Sequence, residues 1–210
     1  MRKSWLISQK GAVLSSVCHN IMNNLNTTDA AGKTSSRRLV LIALMTSITC
    51  ILAPLSVPIP ISPVPISLTN LVLLVSIYIL GWKDATISFI VYLLLGLAGL
   101  PVFSGFSGGL GKIAGPTGGY LAGFIFMTVI AGLAVDIFSG RRLPAAIGMV
   151  LGTAVAYAFG TAWLAIQMDL TFIAALSIGV FPYLIGDALK IVFALIVGPM
   201  LKKRLRPLNI

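Results

Sequence analysis

The chain has 210 residues, of which 58% are hydrophobic and only 10% are charged, and its formal net charge is +10. Soluble globular proteins carry roughly 25% charged residues and lack repeated apolar runs close to the ~20 residues that cross a bilayer. This chain repeats such runs to its end, so the composition predicts an integral membrane protein. Its basic residues stand at the ends of apolar segments rather than on one solvated face, which argues against a nucleic-acid-binding protein.

The sequence contains few of the residues that catalysis or metal binding usually requires. Glutamate is absent, and the five acidic residues are all aspartates, so paired-carboxylate catalysis is not indicated. His19 is the sole histidine, and Cys18 and Cys50 do not form the spaced pair that metal and redox motifs use. We therefore expect a protein that is not an enzyme and that holds neither a metal nor a cofactor.

The first segment, residues 1–36, differs from the rest of the chain in being rich in Ser, Asn and Thr. Its apolar stretch is interrupted by Ser, Gln and Lys, unlike the core of a secretory signal peptide. We expect a poorly ordered cytoplasmic tail. Residues 37–210 are predicted to form one membrane domain, since no later polar stretch is long enough to encode a separate soluble unit.

From Arg38 onward, apolar segments alternate with short breaks rich in Pro, Gly or charge. This pattern predicts an all-α, polytopic membrane protein with six transmembrane helices. The predicted helices are 38–54, 66–81, 84–100, 117–138, 144–166 and 181–201. The Pro-rich run 54–65 is incompatible with regular helix, and irregular backbone at membrane depth is tolerated only where protein or a water-filled cavity covers it.

The distribution of Lys and Arg predicts the orientation of these helices. Basic residues flank alternate loops and both tails, whereas the other three loops contain only Lys112. The positive-inside rule then places both termini in the cytoplasm, which requires an even number of spans. The predicted external loops are 54–65, 101–116 and 167–180.

Asp187 and Lys190 are the most informative polar residues, because they lie within the last apolar segment, where an ionisable group is costly unless it faces protein or water. Their i, i+3 spacing places both side chains on one face of a helix, with Cβ atoms roughly 5–6 Å apart. Two interpretations remain open from the residues alone. The pair either binds a polar ligand or, as a structural ion pair, stabilises the packing of this helix against its neighbours.

Other candidates depend on weaker patterns. The predicted external segment 101–119 is rich in glycine, so its backbone can approach a ligand closely, although an ordinary surface loop has the same composition. Asn70 lies near the external end of the second helix, where it either lines a cavity or bonds a neighbouring helix. Ala43 and Ser47 form a small-xxx-small pair that permits close helix approach, either within this chain or against a partner subunit.

Four stretches of the chain resemble the biotin-specific substrate-binding components of energy-coupling-factor transporters, the BioY family. The stretches are VPISLTNLVLL at 64–74, YLLLGLAGLPVFSGFSGG at 92–109, GPTGGYLAGF at 115–124 and GDALK at 186–190. They occur in the family's order and span most of residues 38–201. The combination of GPTGGY with a much later GDxxK is the specific part of the match, whereas the apolar segments between them are not specific.

The resemblance implies a six-helix subunit of the bacterial cell membrane that binds biotin from outside in a pocket closed by external loops. It also implies a transmembrane coupling subunit and two ATP-hydrolysing subunits as partners, since this chain contains no P-loop. Ala43 and Ser47 are the expected contact with the coupling subunit. The substrate-binding residues expected on this basis are Asp187, Lys190, Tyr120, Ser107, Gly108, Gly118 and Asn70.

Departures from the family pattern concern the carboxylate of biotin. Some members carry arginine directly after the tyrosine of GPTGGY, where this chain has Leu121, so the partner of the carboxylate is left open. Lys112 and backbone N–H groups of the loop are the candidates, or the carboxylate stays near solvent. Two further interpretations stay open at this point: a subunit for another vitamin, and a structural membrane protein without transport activity.

Overall fold

The computed structural model describes residues 36–60, 62–138 and 141–205. The predicted tail 1–36 lies outside these residues apart from its last position. From Leu41 onward the described residues form one compact unit. The helices are α1 at 36–52, α2 at Thr69–Leu97, α3 at Leu110–Ala114, α4 at Gly118–Ile137, α5 at Arg142–Gln167, α6 at Phe172–Gly179 and α7 at Leu184–Leu205, with a 3₁₀ turn at Phe181–Tyr183 before α7.

Four stretches of the described chain are long and apolar enough to cross a membrane: Thr69–Leu97, Gly118–Ile137, Arg142–Gln167 and the continuous stretch Phe172–Leu205. Their outward faces carry many large apolar side chains, as lipid-facing surfaces require. The protein is therefore a helical, multi-pass membrane protein, as the composition predicted.

Helix α2 is two helices joined by a sharp break at Gly81. Gly81 has a backbone φ of 76° and ψ of 172°, a conformation that only glycine adopts readily. Tyr92 lies 23 positions after Thr69, so one straight helix would separate these residues by about 35 Å. Both line the same pocket, which means that the chain folds back at Gly81. The break falls between the predicted helices 66–81 and 84–100.

The side chain of Asp136, near the end of α4, stabilises this reversal. Its carboxylate accepts a hydrogen bond from the backbone N–H of Trp82 at 3.1 Å, and it lies against Gly81, where a Cβ would approach Asp136 to 3.3 Å. The Trp82 N–H belongs to the first turn of the returning helix and has no partner within that helix. Asp136 thus caps a helix from another part of the chain.

Helices α4 and α5 pack closely because glycines remove side chains from their contact. A Cβ on Gly123 would lie 2.8 Å from the Cα of Ala156, and one on Gly152 would lie 2.9 Å from the backbone oxygen of Met127. Neither distance is available to a real side chain without a backbone shift. Close approach through small residues is the usual means of helix association in membranes, and here it aligns α5 beside the pocket.

The all-α prediction omitted a two-stranded antiparallel sheet in the Pro-rich segment. Strand β1, Ser56–Ile59, pairs with β2, Ser62–Ser67, with Ser56 opposite Ser67 and Val57 opposite Ile66. Proline cannot donate a ladder hydrogen bond, so such a sequence is suited to an edge hairpin rather than to a helix. The predicted second helix accordingly begins at Thr69, since residues 66 and 67 belong to β2.

A second difference concerns the predicted external loop 167–180, which contains helix α6. Thr171 caps this helix by accepting a hydrogen bond from the backbone N–H of Ala174 at 3.3 Å. The remaining predicted helices agree with α1, α4, α5 and α7 to within a few residues. The buried core lies between α2, α4, α5 and α7 and includes Phe89, Met127 and Met149, which are fully buried.

Candidate ligand-binding site

A pocket of about 660 Å³, counting the space at its open mouth, lies among the β hairpin, the segment 103–121 and helices α2, α5 and α7. Aromatic and apolar side chains form most of the wall. The lining residues are Val64, Pro65, Ile66, Ser67, Thr69, Asn70, Tyr92, Phe103, Ser104, Lys112, Thr117, Tyr120, Leu121, Phe124, Tyr157, Gly179, Tyr183, Asp187 and Lys190.

Asp187 and Lys190 form the ionic part of the wall. They lie one helical turn apart on α7, as their spacing predicted, and the Lys190 amine contacts Oδ1 of Asp187 at 3.0 Å. Only 11–12% of either side chain is exposed. A buried charge is stable only when it is paired and hydrogen-bonded, so the surrounding residues must supply further partners.

Asn70, at the start of α2, supplies two of those bonds. Its Nδ2 donates to Oδ1 of Asp187 at 2.8 Å, while its Oδ1 accepts from the Lys190 amine at 2.9 Å. The third donor position of Lys190 is used by the backbone oxygen of Ser67, at 2.8 Å. All three N–H groups of the ammonium are therefore satisfied by the protein, and the cluster ties α7 to both α2 and the β hairpin.

Tyr157, on α5, completes the cluster and was not identified from the sequence. Its hydroxyl donates to Oδ2 of Asp187 at 2.5 Å. A carboxylate oxygen accepts up to two hydrogen bonds, and Oδ2 receives one from the described residues. It is thus the carboxylate oxygen of Asp187 with acceptor capacity left for a ligand N–H. The signal for Tyr157 was a hydroxyl in mid-helix, where a polar group needs a partner.

Two further tyrosines shape the pocket by binding backbone oxygens. The Tyr120 hydroxyl donates to the oxygen of Gly179 at 2.9 Å, and its ring packs against Gly160, where a Cβ would come within 2.2 Å of the ring. The Tyr183 hydroxyl donates to the oxygen of Val64 in the hairpin. Tyr120 therefore lines the pocket, but its hydroxyl proton is used by Gly179, so it presents an aromatic surface to a ligand.

The glycine-rich segment covers part of the pocket through Phe103 and Ser104 rather than through the predicted Ser107 and Gly108. Phe103 is buried against Tyr92, with ring centroids 5.5 Å apart, and its backbone pairs with Ser107. The Ser107 hydroxyl donates to the oxygen of Ser104 at 2.8 Å. Ser107 and Gly108 do not line the pocket, and their place is in the turn that presents Ser104.

Gly118 also lies outside the pocket wall. A Cβ at this position would lie 1.7 Å from the backbone oxygen of Ile113, so only glycine fits where α3 meets the first turn of α4. Gly118 thus acts on the site indirectly, because it permits the turn that orients Tyr120. Of the residues predicted to bind the substrate, Asp187, Lys190, Asn70 and Tyr120 line the pocket, and Ser107, Gly108 and Gly118 do not.

Lys112, on α3, lines the pocket from a different element than the Asp187 cluster. Its amine makes no hydrogen bond or ion pair with the residues that the structure describes. Partial burial lowers the pKa of the Lys112 amine, because desolvation disfavours its charged form. The pocket therefore contains one cation, Lys190, that donates to three protein oxygens and another, Lys112, whose amine has no partner in the described part of the chain.

Ala43 and Ser47 lie away from the pocket on α1. Both are exposed, and the Ser47 hydroxyl is directed back to the oxygen of Ala43, at 2.8 Å. Their neighbours Leu39, Leu44 and Ile51 are exposed as well. This face does not pack inside the described part of the chain, so it is open to lipid or to another subunit.

Comparison with known proteins supports the family that the motifs indicate. The chain matches the BioY family over residues 22–207. It is 36% identical to the probable biotin transporter BioY of Pyrococcus horikoshii, over 80% of this chain and 97% of that protein. It is also 36% identical to the biotin transporter BioY of Thermotoga maritima, over 80% of this chain and 96% of that protein.

The fold is similar to a solved structure as well. A crystal structure at 2.1 Å of the S-component for biotin from an ECF-type ABC transporter superposes with a TM-score of 0.76, covering 81% of this chain and 93% of that one at 29% identity. The relatives are named as transporters rather than as enzymes. Sequence match, relatives and fold concur with the motifs GPTGGY and GDALK, and the chain belongs to the BioY family.

Proposed function

We propose that this protein is the biotin-binding membrane subunit of a vitamin uptake transporter. The observation that carries the proposal is the buried cluster of Asp187, Lys190 and Asn70 in the wall of a pocket lined mostly by aromatic and apolar side chains. Biotin has a matching distribution of chemistry: a ureido ring with two N–H donors and one carbonyl acceptor, joined to an apolar sulfur ring and a flexible aliphatic chain. A pocket with few, well-placed polar groups in an apolar wall suits such a ligand.

The ureido ring is proposed to bind at the Asp187 cluster. One ureido N–H donates to Oδ2 of Asp187, the carboxylate oxygen with acceptor capacity left. The ureido carbonyl takes a hydrogen bond from Lys190, which exchanges one of its three present acceptors for the ligand. The rings of Tyr120 and Phe103 provide the apolar wall for the rest of the molecule. A purely structural role for the ion pair is the alternative that the mutations below are designed to separate.

The proposed topology has six spans with both termini in the cytoplasm. The reversal at Gly81 divides Thr69–Leu97 into two spans, and α1 adds another to the four apolar stretches. Of the basic residues in the described chain, Lys83, Arg141, Lys202 and Lys203 lie at the end opposite the pocket in this topology, as the positive-inside rule requires for a cytoplasmic side. The pocket then opens to the outside, from which the vitamin is captured.

Transport is proposed to require partners. The exposed face of Ala43 and Ser47 on α1 is suited to dock on a transmembrane coupling subunit, because small side chains permit backbone approach. Two ATP-hydrolysing subunits would supply the energy, since the sequence has no P-loop. This chain itself is proposed to need no cofactor and to bind only biotin and membrane lipid besides its partner subunits.

The decisive experiment is a binding titration of the purified protein in detergent. Saturable binding of biotin, with weaker binding of dethiobiotin and none of thiamine or riboflavin, is the expected result. Tighter binding of thiamine or riboflavin would show that the ligand is that vitamin and not biotin. The absence of saturable binding to all four compounds, for a folded and monodisperse sample, would contradict a role in vitamin capture.

A further inference from the structure

Lys112 is the one charged group of the pocket wall that the described structure leaves without a partner. The contrast with Lys190 is direct, because that amine donates to three oxygens of Ser67, Asn70 and Asp187. Lys112 stands on α3, and the backbone of this short helix is tied to the start of α4 by a hydrogen bond from the Thr117 hydroxyl to the oxygen of Lys112, at 3.2 Å. The position of the residue is thus fixed although its amine is unpaired.

The charges of the pocket wall do not balance. Asp187, Lys190 and Lys112 are the charged residues among those lining the pocket, so the wall carries one net positive charge. The pair on α7 is neutral as a unit, and the excess therefore resides on Lys112. Partial burial of that amine lowers its pKa, which means that the charged form lacks the solvation it would have in water. An anion in the pocket would compensate for this loss.

The remaining wall offers the anion no competing cation. Leu121 and Phe124, on the adjoining α4, are apolar. The Thr117 hydroxyl already donates to the backbone oxygen of Lys112. A ligand whose polar ring occupies the Asp187 cluster and whose aliphatic chain leads to an anionic end would therefore meet Lys112 as the complementary group. The wall favours a ligand of charge −1 with separated polar and anionic ends.

We propose that Lys112 binds the carboxylate at the free end of the ligand, and that it makes this protein select the anionic vitamin over neutral derivatives. The inference rests on the proposed function, because it takes biotin as the ligand. It assigns a second polar subsite to the pocket, on α3, in addition to the ionic cluster of α7.

The test is a double-mutant type of cycle that removes the charge either from Lys112 or from the carboxylate of the ligand. Wild type, Lys112→Met and Lys112→Arg are titrated with biotin and with biotinamide, in which a neutral amide replaces the carboxylate. Methionine keeps most of the length of lysine without the charge, and arginine keeps the charge. For biotin, Lys112→Met should weaken binding roughly ten- to thirtyfold, the lower part of the range for hydrogen bonds to charged groups, since the amine is only part-buried.

The second ligand distinguishes the proposed contact from a structural effect. Biotinamide should bind the wild type more weakly than biotin does, and Lys112→Met should leave biotinamide binding unchanged. Lys112→Arg should retain most of the preference for biotin. Equal weakening of both ligands by Lys112→Met, or unchanged biotin binding, would overturn the proposal. A wild type that binds neither compound would instead contradict the proposed function, so the two failures are distinguishable.

Discussion

Replacing Asp187 with Asn tests the proposed ligand site most directly. The carboxylate accepts bonds from Asn70, Lys190 and Tyr157, at 2.8, 3.0 and 2.5 Å. An asparagine has nearly the same volume, but it presents an NH₂ group to one of these donors and removes the charge opposite Lys190. Breaking a buried pair from one side costs about 3–5 kcal/mol of folding stability.

The effect on ligand binding has a separate magnitude. Losing a hydrogen bond to a charged acceptor in a buried site costs about 1.5–3 kcal/mol, or about ten- to a hundredfold in affinity. Lys190→Met should weaken biotin binding to a similar degree. Isothermal titration in detergent provides the affinity, and size-exclusion chromatography with thermal unfolding checks that each variant is folded. Asp169→Asn is the matched control, because Asp169 is exposed and its φ of 52° suits asparagine equally well.

The double variant Asp187→Asn, Lys190→Met separates the two roles of the pair. Removing both charges relieves the cost of burying them, so a structural pair should recover stability and bind biotin almost as the wild type does. A ligand-binding pair should remain at least tenfold weaker even when the double variant is well folded. Near-wild-type affinity in that folded protein would refute the assignment of Asp187 and Lys190 to the ureido ring.

Three further predictions concern the scaffold and the partner. Gly123→Ala should destabilise the protein by about 1–3 kcal/mol in detergent unfolding, because its Cβ would lie 2.8 Å from a backbone atom of α5, while Gly186→Ala, with no atom within 4 Å, should not. In a variant without the native cysteines, expressed in intact cells, Leu110→Cys should react with an impermeant thiol reagent and Lys203→Cys should not. The reverse pattern would invert the proposed topology. Ala43→Trp should abolish co-purification with the coupling subunit and preserve biotin binding, and a loss of binding would show that this face supports the pocket instead.

Much of the scaffold is predictable from the sequence because its signals are local. Apolar run length indicates the membrane class, and the breaks at Gly and Pro locate most helix ends to within a few residues. The β hairpin was not predicted, since its two strands depend on pairing with each other and the short Pro-containing segments resemble irregular loop. Helix α6 was missed because eight residues are too few for a periodic pattern to stand out from its surroundings.

In the site, too, features within one helix can be predicted from the sequence, whereas contacts between distant parts of the chain cannot. The sequence by itself determined that Asp187 and Lys190 share a face of α7, because a spacing of three residues is a property of one helix. Only the tertiary structure decided that Asn70, 117 positions before Asp187, and Tyr157 on α5 complete that cluster, and that the Lys112 amine has no partner among the described residues. These contacts depend on how the helices rotate and approach one another through glycine contacts, and no pattern within a single helix specifies that geometry.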